Sequence, residues 1–274
     1  MNLRVIESLA RRSTFGILRR ACGLIVTRLV LVVSCHNEGS RLKAQPFLHL
    51  VASKRDVRLL FVDDGSTDAT PAILADILSG GGTRISVLTE SGNAGEAEAV
   101  RRGILAALEE RPELVGYWNA DLSTPLSELQ YFLETFDAHP DVDIVMGARI
   151  RMLGRDVNRR PLRHYAGRLF ATAASLALGV PVYDTQCGAT ILRATDAVGH
   201  AFRAPFLSRS VMDVEVLARY MAFTGRASAL SRICELPVRA WTAGANLRAS
   251  KMGVRSTLHA LWDLGRIWRQ SRRI

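Results

Sequence analysis

Short apolar runs recur along the first half of the chain, each closed by polar, glycine-bearing residues and followed by an amphipathic stretch. Arg28-Leu29-Val30-Leu31-Val32-Val33-Ser34 and Val57-Arg58-Leu59-Leu60-Phe61-Val62 are β-branched and nearly unbroken, as strands covered on both faces are. Ile85 to Leu88, the run from Leu114 to Trp118, and Val142 to Met146 predict three more. Helices are expected over Leu42–Ala52, Pro71–Leu78, Glu96–Glu110 and Pro125–Ala138. In the third of these, Ala97, Val100, Ile104 and Leu108 share one face. Gly80-Gly81-Gly82 closes the second, and Thr124-Pro125 reads as the start of the fourth, with Thr as N-cap. Strands alternating with helices at this spacing predict an α/β fold with a mostly parallel sheet. In such sheets ligands bind at the carboxyl ends of the strands, where this chain concentrates its polar residues.

The second half reads differently. A helix is expected over Tyr165–Leu178 and another from Met212, and Glu235-Leu236-Pro237-Val238 reads as an edge strand because of its proline. Two basic amphipathic segments flank the whole. Leu3, Ile6 and Leu9 share a face near the start, and Leu258, Leu261 and Leu264 oppose Arg266 and Arg269 near the end. Either could lie on a membrane surface or pack on its own domain. The expected division is 1–27 (basic amphipathic helix), 28–148 (the half of alternating strands and helices), 149–252 (the half that opens on the Arg-rich segment) and 253–274 (second basic helix).

Charge adds one point. The net charge is +10, and only three of the 36 basic residues are lysines (Lys43, Lys54, Lys251). An Arg excess suits phosphate or membrane recognition, or simply an Arg-biased genome. Residues 149–168 carry seven arginines against Asp156 alone. Basic stretches without interleaved aromatics argue against nucleic acid. The four cysteines have no metal or disulfide spacing and read as reduced thiols of a cytoplasmic protein. No apolar run reaches the roughly 18 residues of a membrane span.

Glu38, Asp63, Asp64 and Asp121 should gather at one sheet edge, where unpaired carboxylates repel unless a cation or donor hydrogens hold them. Asn119 and Asp121 offer the hard oxygen ligands that Mg²⁺ and Mn²⁺ take beside phosphates. The ordered set Asn37-Glu38, Val62–Thr70, Asn93-Ala94-Gly95 with Ala99–Gly103, Asn119–Pro125, Gly147-Ala148-Arg149, Asp184–Gly188, Asp213-Val214-Glu215 and Ser250-Lys251 resembles the inverting family 2 glycosyltransferases of the GT-A fold. Within these it is most similar to dolichyl-phosphate β-glucosyltransferases and bacterial polyprenyl-phosphate relatives.

That resemblance implies a metal-dependent sugar transfer from a UDP- or GDP-sugar to an acceptor such as a polyprenyl phosphate, at the inner face of a membrane. It implies nucleotide-sugar binding by Ser34, His36, Asn37, Glu38, Asp63, Asp64, Asn93, Gly95, Arg101, Asn119 and Ala120. Mn²⁺ or Mg²⁺ would be held by Asp121 with Asn119, and the acceptor or departing phosphate by Arg149, Arg168, Gln186 and Lys251. Asp121, Asp213 and Arg149 would carry the chemistry, Asp213 as the base for a hydroxyl acceptor. The chain departs from the family pattern at three places: Asn119 stands where the metal motif normally opens with Asp, Glu96 where the third signature is usually non-acidic, and Ser34-Cys35-His36 before Asn37-Glu38. A soluble or natural-product acceptor, and a nucleotide-sugar-binding protein without turnover, stay open as alternatives.

Overall fold

Six of the seven side chains of β1 (Leu29–Cys35) are buried, because helices cover both of its faces, as its unbroken apolar run predicts. The structure is a computed structural model describing residues 27–158, 161–209, 211–242, 260, 262–267 and 269. After β1 come α1 (Ala44–Ser53), β2 (Val57–Asp63), α2 (Thr70–Gly81), β3 (Ile85–Thr89), α3 (Glu96–Glu109) and β4 (Leu114–Trp118). The chain continues through α4 (Leu129–Ala138), β5 (Ile144–Ala148), β6 (Asp156–Asn158), α5 (Pro161–Leu178) and β7 (Ala189–Arg193). It closes with α6 (Asp196–Arg203), α7 (Met212–Thr224), α8 (Arg226–Leu230), β8 (Ile233–Pro237) and β9 (Ala240–Thr242).

Seven strands form one sheet in the order β3-β2-β1-β4-β7-β5-β8, and β6 and β9 make a separate two-stranded ribbon. Alternation along β1 divides the core. Val30 and Val32 pack with α3, α5, α6 and α7, while Leu29, Leu31 and Val33 pack with α1, α2 and α4. The chain runs outward from β1 to β2 and β3, then returns to lay β4 on the other side of β1. The crevice between the ends of β1 and β4 is therefore a topological switch point, the ligand position of open α/β sheets.

Two expectations are corrected. The sequence reading has no strand over 189–193, yet β7 runs antiparallel between β4 and β5. Its Ala-Thr-Ile-Leu core is only four residues long, too short to stand out by periodicity. Gly116 makes the pairing possible, since a Cβ there would lie 2.7 Å from the Thr190 carbonyl oxygen. The helix expected from Thr124-Pro125 starts later. Pro125 is extended (ψ 146°), a 3₁₀ turn covers Leu126–Glu128, and α4 opens at Leu129. Tertiary contacts set this local path. The Trp118 indole donates to the Thr124 carbonyl at 2.8 Å, and the Glu128 carboxylate accepts the Arg239 amide at 2.8 Å.

The expected edge strand is β8, parallel to β5 at the margin of the sheet. Near the end of the chain, residues 260, 262–267 and 269 are helical, with Ala260, Leu264 and Ile267 buried in the same core as α3. The described apolar positions of this segment are thus taken by the protein itself, with Trp262, Arg266 and Arg269 facing outward, while Leu258 and Leu261 lie outside the described residues. The first amphipathic segment (1–26) and Lys251 lie outside the described residues. Among the described residues no helix is long and apolar enough to cross a membrane.

Candidate active site

At the switch point a cleft of about 420 Å³ is lined by Ser34, Cys35, His36 and Glu38 from the end of β1, and by Asn119, Ala120 and Asp121 from the end of β4. Asp64, Asn93, Glu96 and Ala99 complete the wall. Eight of the residues expected to bind nucleotide-sugar or metal therefore share one cavity.

The loops that shape it are held largely by their own side chains. Asp64 accepts the amides of Ala94 at 2.8 Å and Gly95 at 2.7 Å, pinning the loop before α3 to the end of β2. Asp63 is buried and accepts the Ser66 amide at 3.0 Å. Gly65 is at φ +68°, and a Cβ there would be 2.9 Å from the Gly92 carbonyl carbon, so glycine is required. Asn37 lies outside the cleft wall, its Oδ1 accepting the Thr67 amide at 2.9 Å. His36 donates from Nδ1 to the Asp64 carbonyl at 2.8 Å, which leaves Nε2 to accept the Asn93 amide at 2.9 Å. Arg101 is directed away, toward Glu98 and the carbonyls of Phe202 and Arg203, so the nucleotide contact expected of it is not formed by this geometry.

Asp121 is half-buried and accepts the Ser123 amide at 3.0 Å through Oδ1. Leu122 beside it is at φ +53°, and Asn37 on the facing loop is also at φ +53°. Left-handed non-glycine residues are held only where surroundings over-determine them, and two of them flank this cleft. Asn119 donates to Ser123 Oγ at 3.2 Å and to the Cys187 carbonyl at 3.4 Å. Its amide packs on Gly188 (φ +71°), where a Cβ would lie 2.2 Å from Oδ1. Asn119 thus braces the end of β4 against the Tyr183–Gly188 loop.

Negative charge accumulates here. Burial raises Glu38 to about 7, opposed by its ion pair with Arg41 and reinforced by Asp121. Glu38 Oε2 is buried and has no hydrogen-bond partner among the described residues. Glu96, crowded by protein in the cleft yet accessible from it, is raised by burial and by Asp121. These are the groups that a cation would relieve, although among the described residues no cluster of three His, Cys, Asp or Glu side chains could hold a metal alone.

Beyond Glu96 lies a second set. Tyr117 donates to Asp213, which is buried and raised to about 7 by burial first, with Glu96 and Asp184 adding to it. Arg149 donates to Asp184 through Nε at 2.7 Å and Nη2 at 2.8 Å, and its guanidinium lies 5.2 Å from the Trp241 ring centre. Burial alone would lower Arg149, and Asp184 more than offsets it, leaving its pKa raised. Arg168 stacks 3.6 Å from the Tyr183 ring centre and donates to the Tyr183 carbonyl. Gln186 caps the turn with its amide on Asp184 at 3.1 Å. Two residues of the site were given no role by the sequence, Glu96 being marked there only as a departure from the family pattern. Glu96 lines the cleft and raises both Asp213 and Tyr117. Arg209 donates to the Asn93 carbonyl at 3.1 Å, with Nε 2.7 Å from where a Cβ on Gly95 would lie. Its position before the Asp213 acidic motif was the only sequence signal.

The family model described as Glycosyl transferase family 2 matches residues 30–198, from β1 into α6. The chain belongs to glycosyl transferase family 2. It is 27% identical to a dolichyl-phosphate β-glucosyltransferase of Trichomonas vaginalis over 68% of this chain, but over only 57% of that relative. It is 25% identical to the polyprenol monophosphomannose synthase of Mycolicibacterium smegmatis, covering 74% of this chain and 78% of the relative. Glucosyl-3-phosphoglycerate synthase of Mycobacterium tuberculosis shares the fold, with TM-score 0.60, 15% identity, and coverage of 93% and 84% of the two chains. Its complex with Mn²⁺, uridine diphosphate and glucosyl-3-phosphoglycerate superimposes with TM-score 0.56 and 20% identity over 87% and 80%. The expected family and GT-A fold are both borne out.

The carboxyls give a pH prediction for this family member. Asp213 rises from its ordinary 3.8 to about 7, so the folded chain keeps a proton that the unfolded chain releases. That contribution is whole below 3.8 and lost as pH rises through about 7, and Glu38 acts in the same direction. Thermal midpoints should fall across that window, and Asp213→Asn should flatten the fall. A profile identical in wild type and variant would show that Asp213 does not titrate there.

Proposed function

We propose that the protein transfers a sugar, with inversion, from a UDP- or GDP-sugar to a polyprenyl-phosphate acceptor, aided by Mn²⁺ or Mg²⁺. The observation that carries this is one switch-point cleft holding Asp121, with Asp213 and the Arg149–Asp184 pair next along it. In the reaction an acceptor oxygen bonds to the anomeric carbon as the bond to the nucleotide diphosphate breaks. A phosphate acceptor is already anionic near neutrality, so positioning and charge matter more than a strong base.

The donor set fits a hard cation: one half-buried carboxylate at Asp121, a buried oxygen on Glu38 with no partner among the described residues, and mutual repulsion to relieve. Asp121 would hold the ion together with the donor diphosphate, with Asn119 beside it as brace. A bound divalent ion would neutralise charge on the departing diphosphate. The residues of the chain do the rest. His36 and Asn93 shape the nucleotide side, and Arg209 presents a cation at the cleft rim. Arg149 and Arg168 supply positive potential toward the acceptor. The similarity to two prenyl-phosphate sugar transferases supports a lipid acceptor, and the solved relative with Mn²⁺ and uridine diphosphate supports the metal and a UDP-sugar.

A second reading has one specific support. Asp213 near 7 is tuned as a general base, which a hydroxyl acceptor would need and a phosphate would not. The test is nucleotide release from a panel of UDP- and GDP-sugars, with and without lipid phosphate, in Mn²⁺ and in chelator. Release that requires metal and rises with lipid phosphate is the expected outcome. Donor binding without release from any sugar would mean a binding protein. Release that rises with a hydroxyl acceptor rather than with lipid phosphate, and is lost in Asp213→Asn, would favour the base-dependent reading.

A further inference from the structure

The segment after β5 carries the most exposed apolar side chain among the described residues. Arg151-Met152-Leu153-Gly154-Arg155 closes on itself, the Arg155 amide donating to the Met152 carbonyl at 3.2 Å, with Gly154 at φ +78° in the third position of the turn. Met152 is 51% exposed and Leu153 fully exposed. The turn is tied at both ends. It follows Arg149, which is held by Asp184, and leads into β6, whose Val157 is paired with Trp241 beside that same arginine. β5 runs parallel to β4, because both are antiparallel to β7, so the turn leaves the sheet edge that bears the cleft.

We infer that this turn is a membrane-docking tip. Its occupant is the surface of a bilayer rich in anionic phosphates, into which Met152 and Leu153 insert while Arg151 and Arg155 meet headgroups. Three observations point to that partner. Two consecutive large apolar residues fill the first two positions of a hydrogen-bonded turn, with Leu153 at its apex. Arginines flank them on both sides, within a 149–168 segment of seven arginines and one aspartate. The tip also lies on the edge that bears the cleft, beyond the Arg149 assigned to the acceptor. The inference rests on the lipid-acceptor reading and says how the protein reaches an acceptor whose chain is buried in a bilayer.

The test uses the full chain, phosphatidylcholine vesicles with and without phosphatidylglycerol, and the double variant Met152→Asp with Leu153→Asp. Wild type should float with the anionic vesicles, and the variant should float roughly tenfold less. Its KM for a long-chain polyprenyl phosphate in vesicles should rise about tenfold, while kcat/KM for a short-chain, water-soluble phosphate acceptor stays within about twofold. Unchanged flotation of the variant overturns the inference, as does a variant that floats normally but loses self-association in light scattering. Turnover without lipid phosphate as acceptor would sink the acceptor reading alone, since flotation still reads the tip.

Discussion

Asp121→Ala should lower turnover by a factor of about 10² to 10³ while leaving thermal stability unchanged or slightly raised. A charged ligand to a metal-bound diphosphate contributes on the order of 3–4 kcal/mol at the transition state, and the nearby Glu38 and Asp64 carboxylates are already engaged by Arg41 and by two backbone amides. Stability should move the other way because Asp121 is costly to the resting fold. Among the described residues it accepts one hydrogen bond, from the Ser123 amide, and its charge pushes both Glu38 and Glu96 upward. Removing it relieves that repulsion. The two readouts together separate a ligand from a structural residue, since a residue needed for the fold would lower both. Turnover within tenfold of wild type, at an unchanged melting temperature, would rule Asp121 out as a ligand.

Much of this site was legible because buried parallel strands write themselves plainly. β1 and β2 are near-continuous apolar runs, and each ends in the polar residues that line or brace the cleft. The gathering of Glu38, Asp64 and Asp121 followed from those ends being on one edge. What the sequence could not show is how the carboxylates are spent. Asp64 is consumed by two backbone amides and Asp63 by a third, so the acidic pair builds the loop as much as it faces a ligand. Arg149 looked like a free cation but is locked to Asp184, and Arg101 turns toward the carbonyls that end α6. Except for Asp63, whose partner is Ser66 three residues on, each outcome depends on a partner far away in sequence, which local pattern does not encode. β7 was hidden for the same reason. Its five residues become a strand only because β4 and β5 leave a gap between them, and Gly116 lets it approach.

The Arg149–Asp184 pair carries the largest expected stability effect. Asp184 is buried and accepts two guanidinium hydrogen bonds, the Arg149 amide at 3.0 Å and the Gln186 amide at 3.1 Å. Its own amide and that of Tyr183 are in turn held by Glu235, from β8. Asp184→Ala would leave the Arg149 guanidinium, with only 11% of its side chain exposed, beside Trp241 without its counter-charge. Breaking one partner of a buried pair costs about 3–5 kcal/mol, which for a chain of this size lowers the melting temperature by roughly 10 °C. Replacing both partners, as Arg149→Met with Asp184→Leu, should recover only part of the loss. The buried charges are then gone, but the amides of Arg149 and Gln186 lose their acceptor. Activity should not return in the double variant if Arg149 serves the acceptor phosphate. A melting temperature for Asp184→Ala within about 2 °C of wild type would mean that the pair is solvated, and that Arg149 is free to swing toward substrate.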